Sequence, residues 1–178
     1  IAGARLSLNQ DGSVQLQVGA TEIGQGADTV FSQMAAETLH MDISRVHIVT
    51  QQDTDVTPFD TGAYASRQSF VTGTAVKECA QQLKQKILEY ARTLVPGNVD
   101  RLELEDGYIL ADGKPAISLE DLAMESYYSL SNSSVLTAEV SRQVKKNTVA
   151  SGCCFAEVEV DMKLGKIKVL DIVNVHDS

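Results

Sequence analysis

Cysteine occurs only three times in this 178-residue chain, at Cys79, Cys153 and Cys154. The number is odd, two are adjacent and none has metal-ligand spacing. An iron–sulfur cluster takes four thiolates, so the chain by itself ligates none. Basic residues are short as well: 15 against 24 acidic ones leave a net charge of -9. No basic stripe offsets that excess, which excludes a nucleic-acid partner. No apolar run reaches the ~18 residues of a membrane span. No signal peptide is visible, and no low-complexity tract argues for disorder. The thiol count fits a reduced, cytoplasmic compartment. The chain opens at Ile1 without an initiator methionine and stops just after a strand pattern. It reads as an internal piece of a longer polypeptide.

What is present is a real core and a mixed set of elements. Apolar residues make up 43% of the chain. Ala4–Leu8 and Val14–Val18 alternate around the turn signal Asn9-Gln10-Asp11-Gly12, which predicts a hairpin. Phe31, Met34, Ala35, Thr38 and Leu39 recur at helical spacing, predicting a helix from near Thr29 with Asp28 as its N-cap. Val46–Val49 reads as a short strand. Val76, Cys79, Ala80, Leu83, Ile87, Tyr90, Ala91 and Leu94 make the apolar stripe of a longer helix that Pro96-Gly97 ends. Gly73 stands near its start, where close packing excludes a side chain. Cys79 falls on that stripe as a small core residue.

Further on, Leu102–Leu104 and Tyr108–Leu110 flank Asp106-Gly107 as a small hairpin. Ser118 and Asp121 form a capping-box-like helix start, with Ile117 and Leu122 at the staple positions. That helix gives way to a surface loop at Ser129–Ser134. Cys154–Val160 and Ile167–Val175 alternate around Leu164-Gly165 as a second strong hairpin, and Cys153-Cys154 are expected to pack at its start. Strands and helices mix without regular alternation, so the fold class is α+β. The organisation expected is residues 1–148 as one part and 149–178 as a terminal β-hairpin.

Two polar, glycine-marked segments stand before the two main helices. The first is Gly19–Thr29, containing Gly24-Gln25-Gly26. The second is Thr57–Gln68, ending in Tyr64-Ala65-Ser66-Arg67-Gln68. Helix starts carry unpaired backbone N–H groups and the positive end of the dipole, so a pair of them suits an anionic ligand such as a phosphorylated cofactor. Gly24–Thr29 nearly matches G-x-G-x-x-G, but Thr29 takes the last glycine position and no βαβ unit surrounds it. Walker-like spacing from Gly19 fails because Gln25 replaces the lysine. As local pattern, Gly24 and Gly26 serve equally well to turn the chain into its helix. The Gln25 amide offers a donor and an acceptor, suited to a heterocycle edge or a metal-bound oxygen. Ser66, Gln68 and Ser69 are phosphate donors by type, and Arg67 can pair with phosphate bidentately; a cap with a solvated arginine is the plainer alternative. Asp53-Thr54-Asp55 lacks the glycine and the twelfth-position glutamate of a calcium loop. His40, His47 and His176 show neither metal spacing nor a triad pattern.

Together, Thr21–Gly26, Asp53–Gln68, Gly73–Val76 and Asn174–Ser178 resemble the molybdenum-binding subunit of the xanthine dehydrogenase and aldehyde oxidase family, most closely its bacterial xanthine dehydrogenase branch. The resemblance implies a piece of the molybdopterin-binding region. Gly24, Gln25 and Gly26 would contact the cofactor, Ala65 would approach the molybdopterin, and Ser66, Arg67 and Gln68 would lie beside its phosphates. It implies the cytosine dinucleotide form of the cofactor, oxidative hydroxylation of a purine with oxygen from water, and electron transfer through iron–sulfur and FAD subunits or domains. No residue matches the family's catalytic glutamate motif, so no catalytic residue and no metal ligand is assigned, and the isolated chain is expected to lack turnover. Aldehyde, nicotinate-like or aromatic thioester substrates are the alternatives within the family. A non-catalytic nucleotide-binding or assembly module is the alternative outside it.

Overall fold

The computed structural model describes residues 1–146 and 149–177. It divides into two units, Ile1–Lys146 and the stretch from Asn147 to the end. The expected boundary after residue 148 touches Thr148, which lies outside the described residues, as does Ser178.

The first unit is built on a four-stranded sheet in the order β3-β2-β1-β7. Strands β1 (Ala2–Leu8) and β2 (Val14–Val18) form the expected antiparallel hairpin, with Ala4 opposite Val18 and Leu8 opposite Val14. Strand β3 (Val46–Ile48) runs parallel to β2, and β7 (Thr137–Arg142) runs antiparallel to β1 on the other side. Period-2 alternation puts Ala2, Ala4, Leu6 and Leu8 on one face, all fully buried. Helix α2 (Gly73–Leu94) packs across β1 and β7, and α1 (Ala27–Leu39) lies along α2 and β3. The α2 stripe is buried from Val76 to Ala91. A Cβ on Gly73 would stand 2.6 Å from Met34 Sδ, so that glycine lets the two helices close on each other.

A second sheet, β4 (Leu102–Glu105), β5 (Tyr108–Ala111) and β6 (Lys114–Ser118), leads into α3 (Leu119–Tyr128). Ser118 caps the helix: its Oγ accepts the Asp121 N–H at 3.0 Å and donates to the Asp121 carboxylate at 2.6 Å, the side chains pairing with each other instead of closing a full capping box. Strands β6 and β7 stand where the sequence analysis placed none.

Cys79 is fully buried, and its thiol donates to the Ala138 carbonyl at 3.2 Å. Burial pushes its pKa up to about 11, which suppresses the reactive thiolate. Cys79 is therefore expected to resist iodoacetamide at pH 8 in the folded chain and to react on unfolding. Peptide mapping checks this, and rapid native labelling would contradict it.

The second unit is the expected hairpin, β8 (Ser151–Asp161) with β9 (Lys166–Asp177). Its register places Ala156, Val158, Val160, Ile167, Val169 and Ile172 on one face, and Phe155, Val173 and Val175 on the other. Cys153 and Cys154 do not pack as expected. Both are exposed, as are the other described residues of this hairpin.

Candidate functional site

The second polar segment does not run straight into its helix. Asp53 starts it with an Asx turn, its carboxylate accepting the Asp55 N–H at 2.9 Å. The chain then passes Pro58 and Asp60 beneath the ends of β1 and β2, with Ala2 bridged to Asp60. A turn of π-helix, Gln68–Thr72, precedes α2. Such turns are frequent at functional sites.

Asp60 is the anchor of this segment. Its side chain is fully buried, and one carboxylate oxygen takes Arg67 Nη1 at 2.5 Å and the Gly62 N–H at 2.9 Å. The other takes the Thr72 hydroxyl at 2.8 Å. Arg67 also donates to the carbonyls of Gly62 and Ile1, at 2.8 and 2.9 Å, and its guanidinium lies 5.6 Å from the Tyr64 ring centroid. The guanidinium expected to face phosphate is thus turned inward as the clasp of its own loop. Arg67 remains at the site, but it is 8% exposed and held by protein oxygens.

Between the clasp and the tight turn, Ala65 and Ser66 both have left-handed backbone, with φ of 50° and 52°. Each costs about 1–2 kcal/mol in a residue bearing a side chain. Such strain persists only where its surroundings impose it, and it clusters at ligand clamps. Arg67 returns to the right-handed region at φ -86°. The Arg67 N–H closes the turn by donating to the Tyr64 carbonyl at 3.2 Å. Ser66→Gly is expected to raise stability by about 0.5–1 kcal/mol, glycine's larger entropy loss offsetting part of the relief. Urea unfolding checks this, and a loss of stability would show that the conformation is not strained.

The first segment folds back on itself. Gly24 and Gly26 have φ of 96° and 83°, and a Cβ on either would meet no atom within 4 Å. Glycine is needed here for the backbone conformation, and the space beside both residues is open to a ligand. Gln25 Oε1 accepts the Ile23 N–H at 2.6 Å, and its Nε2 donates to the Thr21 carbonyl at 3.1 Å. The same Nε2 donates to Gln68 Oε1, linking the two loops, and Gln68 Nε2 returns to the Thr21 carbonyl at 3.3 Å. A cleft of about 320 Å³ opens here, lined by Ile23, Gln25, Ala63, Tyr64, Ser66, Arg67, Gln68 and Ser69. Four of the seven expected site residues line it; Gly24, Gly26 and Ala65 flank it in sequence.

Asp28 is not the N-cap of α1. Gly26 holds that position in a left-handed conformation with no side-chain cap bond of its own. The cap comes from upstream, where the Glu22 carboxylate accepts the N–H groups of Gly24, Gly26 and Asp28 at 2.7, 3.0 and 3.1 Å. The two left-handed glycines curl the chain so that Glu22 reaches the helix start. The N–H groups of Asp28, Gly26, Gly24 and Ala27 hold its carboxyl below the usual range. Burial, then the charge of Glu22, pushes the Asp28 carboxyl up. Sequence reasoning singled out neither Glu22 nor Asp60. The available signals were an acid four residues ahead of a glycine-marked helix start, and an acid seven residues ahead of an arginine in one polar loop.

Ser69, on the rim of the cleft, also lines a second opening. A larger open groove of about 640 Å³ runs between α1 and α2. His40 pairs with Glu105 at 2.7 Å in an exposed position. Among the described residues, no group of three or more His, Cys, Asp or Glu side chains is placed to hold a metal ion, and no helix is long and apolar enough to cross a membrane.

An α+β domain that holds two glycine-marked loops around an amide- and hydroxyl-lined cleft is a small-molecule-binding domain. The chain belongs to the molybdopterin cofactor-binding domain family, whose model matches residues 1–178. It is 48% identical over 181 aligned residues to the xanthine dehydrogenase molybdenum-binding subunit of Escherichia coli O157:H7, covering 100% of this chain and 24% of that protein. It is 36% identical over 93 residues to the xanthine dehydrogenase of Blastobotrys adeninivorans, across 52% of this chain and 6% of that one. Among solved structures, the reconstituted CO dehydrogenase of Oligotropha carboxidovorans matches 99% of this chain and 22% of its own with a TM-score of 0.81 at 24% identity, a likeness of fold. The chain thus spans about a quarter of the length of the first of these relatives.

Proposed function

We propose that this chain is part of the cofactor cradle of a molybdenum-binding oxidoreductase subunit that hydroxylates purines, as a xanthine dehydrogenase does. The observation that carries this reading is the identity of 48% across the whole chain to a xanthine dehydrogenase molybdenum-binding subunit. The cleft fits the cofactor's chemistry. The backbone at Gly24 and Gly26 is open to close approach, the Gln25 amide keeps a carbonyl lone pair and the Gln68 amide one N–H beyond their bonds within the chain, and Ser66 brings a hydroxyl donor to the cleft lining. Arg67 supports the site by holding that turn in shape. The bound cofactor supplies the redox-active metal for hydroxylation with oxygen from water. This chain's residues supply its binding and orientation. The cofactor is the cytosine dinucleotide form, the electrons leave through iron–sulfur and FAD partners, and the complex works in the cytoplasm.

The test is the native subunit that carries this chain, purified with its partners. Metal analysis, release of the nucleotide by acid hydrolysis and a xanthine oxidation assay are run together. Molybdenum and cytidine monophosphate in equal amounts, with xanthine turnover, are expected. A simple nucleotide bound without pterin or molybdenum would replace this reading with that of a nucleotide-binding module.

A further inference from the structure

The N–H groups of Gly26 and Asp28 at the start of α1 are already engaged. Gly24, Gly26 and Asp28 all donate to the one carboxylate of Glu22. That carboxylate stands where an anionic ligand would sit at a helix start, and it belongs to the chain itself. The turn it holds also carries Gln25, whose amide is latched to Ile23 and Thr21 and reaches Gln68 across the cleft. A second observation is independent of these bonds. Asp28 adds another carboxylate at the same helix start, with a buried Oδ1 that has no partner. The burial of that group and the charge of Glu22 both disfavour its ionisation. Glu22 already takes N–H groups that a phosphate would need there, and its charge opposes the helix dipole's attraction for an added anion.

We propose that Glu22 is a positioning residue: a resident anion that fills the start of α1 and fixes the Gly24-Gln25-Gly26 turn, so that Gln25 meets the ligand as a preset neutral amide. The two loops then divide the work. The first presents a neutral hydrogen-bonding edge, and the second, around Ser66 and Gln68, takes the anionic part. This inference rests on the proposed cofactor for the ligand's identity, but not for the state of the helix start.

The experiment uses the native subunit, with Glu22→Ala and the near-isosteric Glu22→Gln, which keeps an oxygen acceptor. Amide hydrogen exchange across residues 21–29 is measured on cofactor-free protein, with and without inorganic pyrophosphate. Molybdenum per subunit is measured on protein as isolated. In Glu22→Ala, exchange at residues 24–28 is expected to rise about tenfold, the equivalent of one lost charge-assisted hydrogen bond. Molybdenum content is expected to fall several-fold, and Glu22→Gln is expected to recover part of both. Pyrophosphate is expected to leave these amides unprotected in the native protein and to protect them in Glu22→Ala, where the helix start is vacated. Pyrophosphate protection of residues 24–28 in the native protein would overturn the inference, as would unchanged exchange in both variants. A native protein that contains no molybdenum would count against the proposed function alone, and the exchange arm would still decide the role of Glu22.

Discussion

Asp60→Ala is expected to destabilise the chain by about 3–5 kcal/mol, because it strands a buried charge. The Asp60 side chain is fully enclosed and that of Arg67 is 9% exposed. Removing the carboxylate leaves three donors without their acceptor: the Arg67 guanidinium, the Gly62 N–H and the Thr72 hydroxyl. Each lost partner carries its own desolvation penalty. The same pair replaced on both sides, as Asp60→Leu with Arg67→Met, is expected to recover much of the loss, since two well-packed apolar groups carry no stranded charge. Urea unfolding of the single and double variants measures the coupling directly. If Asp60→Ala costs less than ~1 kcal/mol, the pair is solvated and does not hold the second loop.

Gly19→Ala is expected to be nearly as harmful, for a steric reason. A Cβ at Gly19 would lie 2.0 Å from the Pro58 carbonyl oxygen and 2.9 Å from the Asp60 N–H nitrogen. Both obstacles are backbone, so no rotamer change relieves them. The end of β2 and the Asp60 loop must move apart, at a cost of about 3 kcal/mol, the upper end for overpacking. The displacement lands on the anchor of the second loop, so cofactor retention by the native subunit is expected to fall together with thermal stability. A variant with native melting temperature and native molybdenum content would show that the loop moves aside without penalty.

Local pattern revealed the elements whose partners are close in sequence. The apolar stripe of α2, the β1–β2 and β8–β9 hairpins and the Ser118 N-cap each follow from spacing over a few residues. Strand β6 was hidden because Pro115 interrupts its pattern. Pro115 is tolerated there because β6 is an edge strand, paired beside a register shift at Ile109/Leu110. Strand β7 was hidden because its partner is β1. Ala138 sits opposite Leu6, and no local signal announces a strand that completes a sheet begun over a hundred residues earlier.

The candidate site shows the same division more sharply. The sequence by itself determined which residue types stand in the two loops: glycines where φ is positive at Gly24 and Gly26, amides at Gln25 and Gln68, and the pattern that resembles the molybdenum-binding subunits. Only the tertiary structure decided what those side chains face. Arg67 turns inward because a buried carboxylate lies within reach, and a desolvated charge must be paired. Glu22 takes the helix start because two left-handed glycines carry it there. Gln25 and Gln68, 43 positions apart, meet because α1 and α2 pack side by side on one sheet. Backbone conformation is a local property that residue type can specify. The partner of a polar group is set by burial and by the approach of distant segments, and those exist only once the chain has folded.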